Sequence, residues 1–355
     1  MTTARFAQLL TSAETERSKS RFKQARALFL QAAGQAPEPE ATAQALQGAA
    51  DCARLLGDFP ASLKAYSQSL KLVPSANAAF RADLLAGEAL AWRAAGKPKQ
   101  ALAGLKRALA AYSKLKDTTG QAFSHWALGG TYRIAGDLSL ALKHLSLAER
   151  AYAKLQDAEG SSYVACALGG VNRMLGRWDE SLRHYHRANA AMRKRGDTFG
   201  TAYSYCGLGN AARMHGDVAT ALAYFKQAEK VYATIGDKVS YAYTLWSMAT
   251  AYKLQGKFAP AKAAFAKAER LFKLTGDERG RAYIELGYAE LAFLQKRSAK
   301  AALARAAKLA KPFAWESRHV KALGALVAGQ AWKAQDAYKG SGSRFDAGYL
   351  PVNWP

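Results

Sequence analysis

The chain has 355 residues, half of them hydrophobic, and 51 Lys and Arg against 27 Asp and Glu give it a formal charge of +24. No stretch reaches the roughly 18 uncharged apolar residues that a membrane-spanning helix needs, so no membrane span is expected. Three cysteines without CxxC spacing (Cys52, Cys166, Cys206) do not make a disulfide framework or a zinc site. Residues 1–16 lack the apolar core of a signal peptide and carry Glu14 and Glu16, so a cytoplasmic location is expected. The six histidines (125, 144, 184, 186, 215, 319) include no i, i+4 pair, and no glycine-rich phosphate loop follows a strand. No metal, no cofactor and no enzymatic activity are therefore expected. The basic excess favours anionic partners.

In chain order, residues 1–37 read as an irregular helical hairpin, with Arg21–Gly34 as its second helix, and Pro37 and Pro39 break the chain after it. Residues 38–313 are organised by repetition. Gly57, Gly96, Gly136, Gly176, Gly216 and Gly256 stand 39 or 40 residues apart. At the same period run Asp117, Asp157, Asp197, Asp237 and Asp277, and an aromatic column of Phe123, Tyr163, Tyr203, Tyr243 and Tyr283. A further column is Ala148, Ala188, Ala228 and Ala268. Self-similarity at a fixed period of 20–50 residues marks a solenoid.

Within one unit the apolar spacing is helical twice over, from Gly120 to Ala135 and from Leu138 to Leu155. Gly136 supplies the left-handed residue between the two helices, and Asp137 stands where the second needs an N-cap. The Asp117–Asp277 column caps each unit's first helix. After Leu294 the turn glycine gives way to Lys296-Arg297-Ser298, and residues 314–339 are expected to form a capping helix. Residues 340–355, with Phe345, Tyr349 and Trp354, read as a flexible aromatic tail, either docking on the solenoid or a partner or forming a disordered end.

Leu128-Gly129, Tyr132, Gly136, Ala141, Leu145 and Ala148 stand as the signature positions of the tetratricopeptide repeat, which the chain resembles. Leu168-Gly169, Gly176, Tyr185 and Ala188 match it, as do Leu208-Gly209-Asn210, Gly216, Ala221, Phe225 and Ala228. The 40-residue length and Gly-Asp linkers are similar to the long subtype of kinesin light chains and G-protein-signalling modulators. The resemblance implies an all-α, right-handed superhelical solenoid of about eight hairpins. It also implies an interaction scaffold whose first helices line a concave groove.

Positions 123, 126, 130 and 133 share one stripe of a helix, and the stripe recurs in each unit. It places a cation at one station six times: Arg54, Arg93, Arg133, Arg173, Arg213 and Lys253. Gly130, Gly170, Asn210 and Thr250 leave room beside it, and the family's ligand contacts map onto Asn210. With Trp126, Trp246, Tyr163, Tyr203 and Tyr243 as anchors, the ladder suits an extended acidic segment of a partner protein. Two structural alternatives stand beside this. The cations lie in last helical turns, where they complement the helix dipole, and the tyrosines equally suit wedges between neighbouring helices. Single-stranded RNA, held by arginines and stacked on aromatics, is the alternative ligand.

Overall fold

The computed structural model describes residues 2–342; the aromatic residues of the expected tail, Phe345, Tyr349 and Trp354, lie outside the described residues. Every regular element among these residues is helical. Sixteen helices form eight antiparallel hairpins: α1 Thr2–Ser18 with α2 Phe22–Gly34, α3 Pro39–Leu55 with α4 Phe59–Leu72, and α5 Ala78–Ala94 with α6 Pro98–Lys114. Next come α7 Thr118–Ala135 with α8 Leu138–Lys154, α9 Ala158–Met174 with α10 Trp178–Lys194, and α11 Thr198–His215 with α12 Val218–Ile235. The last two pair α13 Lys238–Leu254 with α14 Phe258–Thr275 and α15 Glu278–Leu294 with α16 Lys300–Ala310.

The repeat columns are the parts of this architecture. Asp117, Asp157, Asp197, Asp237 and Asp277 each accept a hydrogen bond from the backbone N–H three residues on, at 2.7–2.9 Å. Capping of this kind stabilises a helix by about 1 kcal/mol. The alanine column 148, 188, 228, 268 is fully buried between paired helices. Gly209 lies mid-helix because Phe225 of the partner helix presses on it: a Cβ there would stand 2.5 Å from the ring. The helix-propensity cost of about 1 kcal/mol is offset by that close packing.

First helices of successive hairpins touch one another directly, α3 to α5, α7 to α9, α9 to α11 and so on, whereas second helices are spread apart. The eight first helices are thus the inner layer and the second helices the convex one. The curvature is strong enough for the solenoid to close on itself. Phe22 meets Phe199 edge-on at 6.4 Å between ring centroids. The turn glycine Gly57 packs against Thr275 and Val239, and Gly96 against Phe313.

The C-terminal region differs from the expected capping helix. The helix α17 covers Ala314–Val327, Gly329 turns the chain at φ 74°, and a 3-10 helix follows at Ala331–Tyr338. This segment packs on the last hairpin, against α15 and α16, and reaches beyond it. Ala314 packs on Gly136, and α17 touches α7, so it completes the ring.

Candidate functional site

Closure of the superhelix encloses a channel of about 1010 Å³. Its wall is built chiefly from first helices, and second helices contribute aromatic rings such as Tyr66, Tyr112, Tyr152 and Tyr232. The charged lining is six arginines (17, 54, 93, 133, 173, 279) and six aspartates (51, 83, 117, 157, 197, 277). The balance of numbers hides an imbalance of partners.

All six carboxylates are engaged. Asp117, Asp157, Asp197 and Asp277 cap helices. Asp83 accepts from the Tyr112 hydroxyl at 2.6 Å, and Asp51 from the Tyr66 hydroxyl at 2.8 Å. Among the arginines, Arg17 and Arg54 pair with Asp51, and Arg279 lies 2.6 Å from Glu316. Arg93, Arg133 and Arg173 have no carboxylate partner among the described residues. Arg93 lies over the Trp126 ring at 5.6 Å and reaches the Ala127 carbonyl at 3.5 Å. Arg133 and Arg173 point at the sulfurs of Met174 and Met214, at 3.9 and 3.7 Å, which are weak acceptors. Burial, reinforced by Arg54 and Arg133 nearby, pulls Arg93 down to about 10. It is still a cation at neutral pH, so the channel wall carries three uncompensated charges.

A constant offset of 37 residues explains the ladder. Two of the cations lean over a residue 37 positions on, in the next hairpin: Arg93 on Gly130 and Arg133 on Gly170. The Trp126 indole N–H donates to the Tyr163 carbonyl and that of Trp246 to the Tyr283 carbonyl across the same interval. In the last two units the station changes character. Arg213 is wholly buried beside Asn210, at 3.3 Å from its side-chain oxygen. Lys253 is buried against Glu290, its ion-pair partner 37 residues on. Neither lines the channel. Asn210 donates to the Cys206 carbonyl within its own helix. Trp246 is buried on Tyr283 at 4.7 Å, and Tyr243 packs edge-on against Phe272 at 4.8 Å. Trp126 and Tyr163 are half-buried, and Tyr203 is the open ring of the column, 37% exposed. The structure thus gathers Arg54, Arg93, Arg133, Arg173, Trp126, Tyr163, Tyr203, Asn210, Tyr243 and Trp246 in the channel lining and leaves Arg213 and Lys253 apart.

Long-range pairings escaped the sequence pattern. His125 and His144 meet through their Nδ1 atoms at 2.9 Å, 19 residues apart. Burial lowers both, His144 to about 4 with His125 contributing, so the pair is neutral at physiological pH. Among the described residues no three metal-ligating side chains converge, and no helix is long and apolar enough to cross a membrane.

Residues 161–234 match the family model of the tetratricopeptide repeat. The chain carries tetratricopeptide repeats. Solved structures extend the likeness along the whole solenoid. A Rap protein complexed with competence and sporulation factor is 15% identical, with a TM-score of 0.64 over 92% of this chain and 99% of that one. The Rap conjugation gene regulator of plasmid pLS20, in complex with the Phr* peptide, is 14% identical, with a TM-score of 0.62 over 95% and 93%. The Cut9–Hcn1 hetero-tetramer of APC/C is 16% identical, with a TM-score of 0.60 over 94% of this chain and 55% of that one. At these identities the likeness is one of fold. Among curated proteins no sequence match is found.

The repeat that begins at Asp237 is where the first and second superhelical turns press together, beside Val239 and Gly57. Burial there pushes the Asp237 carboxyl up to about 6, against the opposing pull of its bonds from Ser240 and Val239 and of Arg54. The folded chain therefore holds this proton more tightly than the unfolded one. The stability that it contributes is complete below pH 4 and is lost as pH rises through about 6. Asp237→Asn keeps a capping side chain without the charge. Thermal melts should show the variant more stable than the parent by about 1–3 kcal/mol at pH 7.5, with no gain at pH 4. An equal gain at both pH values would mean that the carboxylate is not the cause.

Proposed function

We propose that the channel binds an extended, acidic segment of a protein partner, without catalysis. The observation that carries this reading is the set Arg93, Arg133 and Arg173, which face a channel of about 1010 Å³ without a carboxylate of their own. Arginine there favours bidentate recognition of carboxylates. Gly130 and Gly170 keep the wall low beside Arg93 and Arg133, and Trp126, Tyr163 and Tyr203 offer apolar contact. Two solved structures of similar fold support a peptide ligand. One holds competence and sporulation factor and the other the Phr* peptide.

The geometry also sets a register. Neighbouring helices lie about 8–10 Å apart, and an extended chain advances about 3.3 Å per residue. Consecutive arginines on α5, α7 and α9 therefore match acids placed at every third position. The probe is a fluorescein-labelled dodecapeptide with three Asp residues placed three positions apart, compared with one in which the same three Asp residues are adjacent. Fluorescence anisotropy should show the spaced peptide bound more tightly. Arg133→Glu/Arg173→Glu, checked for unchanged helicity, should weaken it by at least tenfold. Two lost pairs contributing about 0.2–1 kcal/mol each, with like-charge repulsion in the variant added, give that magnitude. Equal binding by parent and folded variant would remove the arginines from the site.

A further inference from the structure

The charge of +24 is not in the channel. The eight first helices, α1 to α15 by odd number, carry 12 Lys and Arg against 10 Asp and Glu, a net of +2. The eight second helices, α2 to α16, carry 24 against 5, a net of +19. Nearly all the excess therefore lies in the outer layer. A surface maintained only for solubility intersperses both signs; this one does not.

The middle of the solenoid presents the charge most openly. Lys106 and Arg107 on α6, Lys143 and Arg150 on α8, and Arg183 and Arg187 on α10 are all exposed. Local acids compensate little: Glu180 lies 3.7 Å from Arg183, and Glu149 reaches Arg187 at 2.7 Å. The field is felt inside the protein too, since Lys143 and Lys106 both contribute to the lowered His144.

We infer that this convex face, centred on α6, α8 and α10, is a docking surface for duplex DNA, held through its backbone phosphates. Charge complementarity selects the occupant: duplex DNA presents one negative charge per ~1.7 Å of its axis, to a layer with a net charge of +19. Single-stranded nucleic acid is held by stacking on aromatic rings, and no Phe, Tyr or Trp of the second helices is exposed. An anionic membrane is held by apolar side chains that enter it as well as by charge. Leu30 and Leu274 are the only large apolar residues that these helices expose. The contact is one of phosphates, without sequence preference.

The test is fluorescence anisotropy with a labelled 30-base-pair DNA of arbitrary sequence, titrated between 50 and 200 mM salt. If about six cations each neutralise a phosphate, the slope of log K against log salt is about −5, a loss of about a thousandfold over that range. Lys106→Glu/Arg107→Glu/Lys143→Glu/Arg150→Glu/Arg183→Glu/Arg187→Glu should weaken binding at least a hundredfold. The corresponding Gln variant, which perturbs folding less, should weaken it at least tenfold. The channel variant Arg133→Glu/Arg173→Glu should bind DNA within twofold of the parent. Several results overturn the inference: no binding at 50 mM salt, loss of binding in the channel variant, or unchanged binding in both convex-face variants. So does tighter binding of a 30-nucleotide single-stranded RNA or a 30-base-pair RNA duplex, or of phosphatidylserine vesicles. The acidic-peptide assay on the same proteins reports the channel separately.

Discussion

Glu290→Leu should destabilise the protein by about 3–5 kcal/mol, and adding Lys253→Met should recover most of the loss. Lys253 and Glu290 form an ion pair with side chains 0% and 2% exposed. Burial lowers Lys253 and raises Glu290, each toward its neutral form, while each partner's charge opposes that shift. The carboxylate oxygen Oε1 of Glu290 has no hydrogen-bond partner, so the pair is incompletely satisfied. Removing one charge strands the other in a medium that solvates it poorly, which is the costly case. Replacing both with apolar groups of similar volume is often neutral or stabilising. Urea unfolding of the parent, the single variant and the double variant checks this. The last hairpins of a repeat array can unfold on their own, so amide exchange in α13 and α15 should be read alongside. A double variant as unstable as the single one would show that the pair itself, and not the stranded lysine, carries the stability.

The same pair marks where the sequence pattern stops being readable. Hairpins, caps and inner helices follow from spacings of three, four and 40 residues, all of them local, and these were legible. The fate of a cation depends instead on what stands 37 residues later. Gly130, Gly170, Asn210 and Thr250 occupy that station in turn, and continuing the column by one unit reaches Glu290. That step identifies Lys253 as a buried pair, and it was within reach of the sequence. Arg279 with Glu316 repeats the interval. The burial of Trp246 and Tyr243 is less accessible, because it depends on which aromatic ring the next hairpin offers. The distribution of charge between inner and outer helices was also present in the sequence, once the helices were assigned to layers. Ring closure had no local signal at all. Its contacts join residues such as Phe22 and Phe199 or Gly57 and Thr275, and superhelical curvature accumulates from small angles that no single unit encodes.

Closure makes the largest demand on one small residue, and Gly57→Ala should expose it. Gly57 has a φ of 80° and Gly256, at the equivalent turn five units on, a φ of 70°. Alanine at either position pays about 1–2 kcal/mol for the left-handed backbone. At Gly256 a new Cβ meets nothing within 4 Å, whereas at Gly57 it drives into the Thr275 side chain on the next superhelical turn. Overpacking of that kind costs about 1–3 kcal/mol more, so Gly57→Ala should lose about 2–5 kcal/mol and Gly256→Ala only the smaller share. Thr275→Ser on the Gly57→Ala background removes the methyl that is struck and should return part of the difference, while leaving Gly256→Ala unimproved. Because Asp237 is buried at the same junction, prying the turns apart should also bring its carboxyl back toward the ordinary range, which titration of that residue by NMR would detect. Equal losses for the two glycine variants, with Asp237 unmoved, would mean that the two turns do not bear on each other in solution. The channel would then be an open groove, and the arginines on α5, α7 and α9 would meet a partner in far more water.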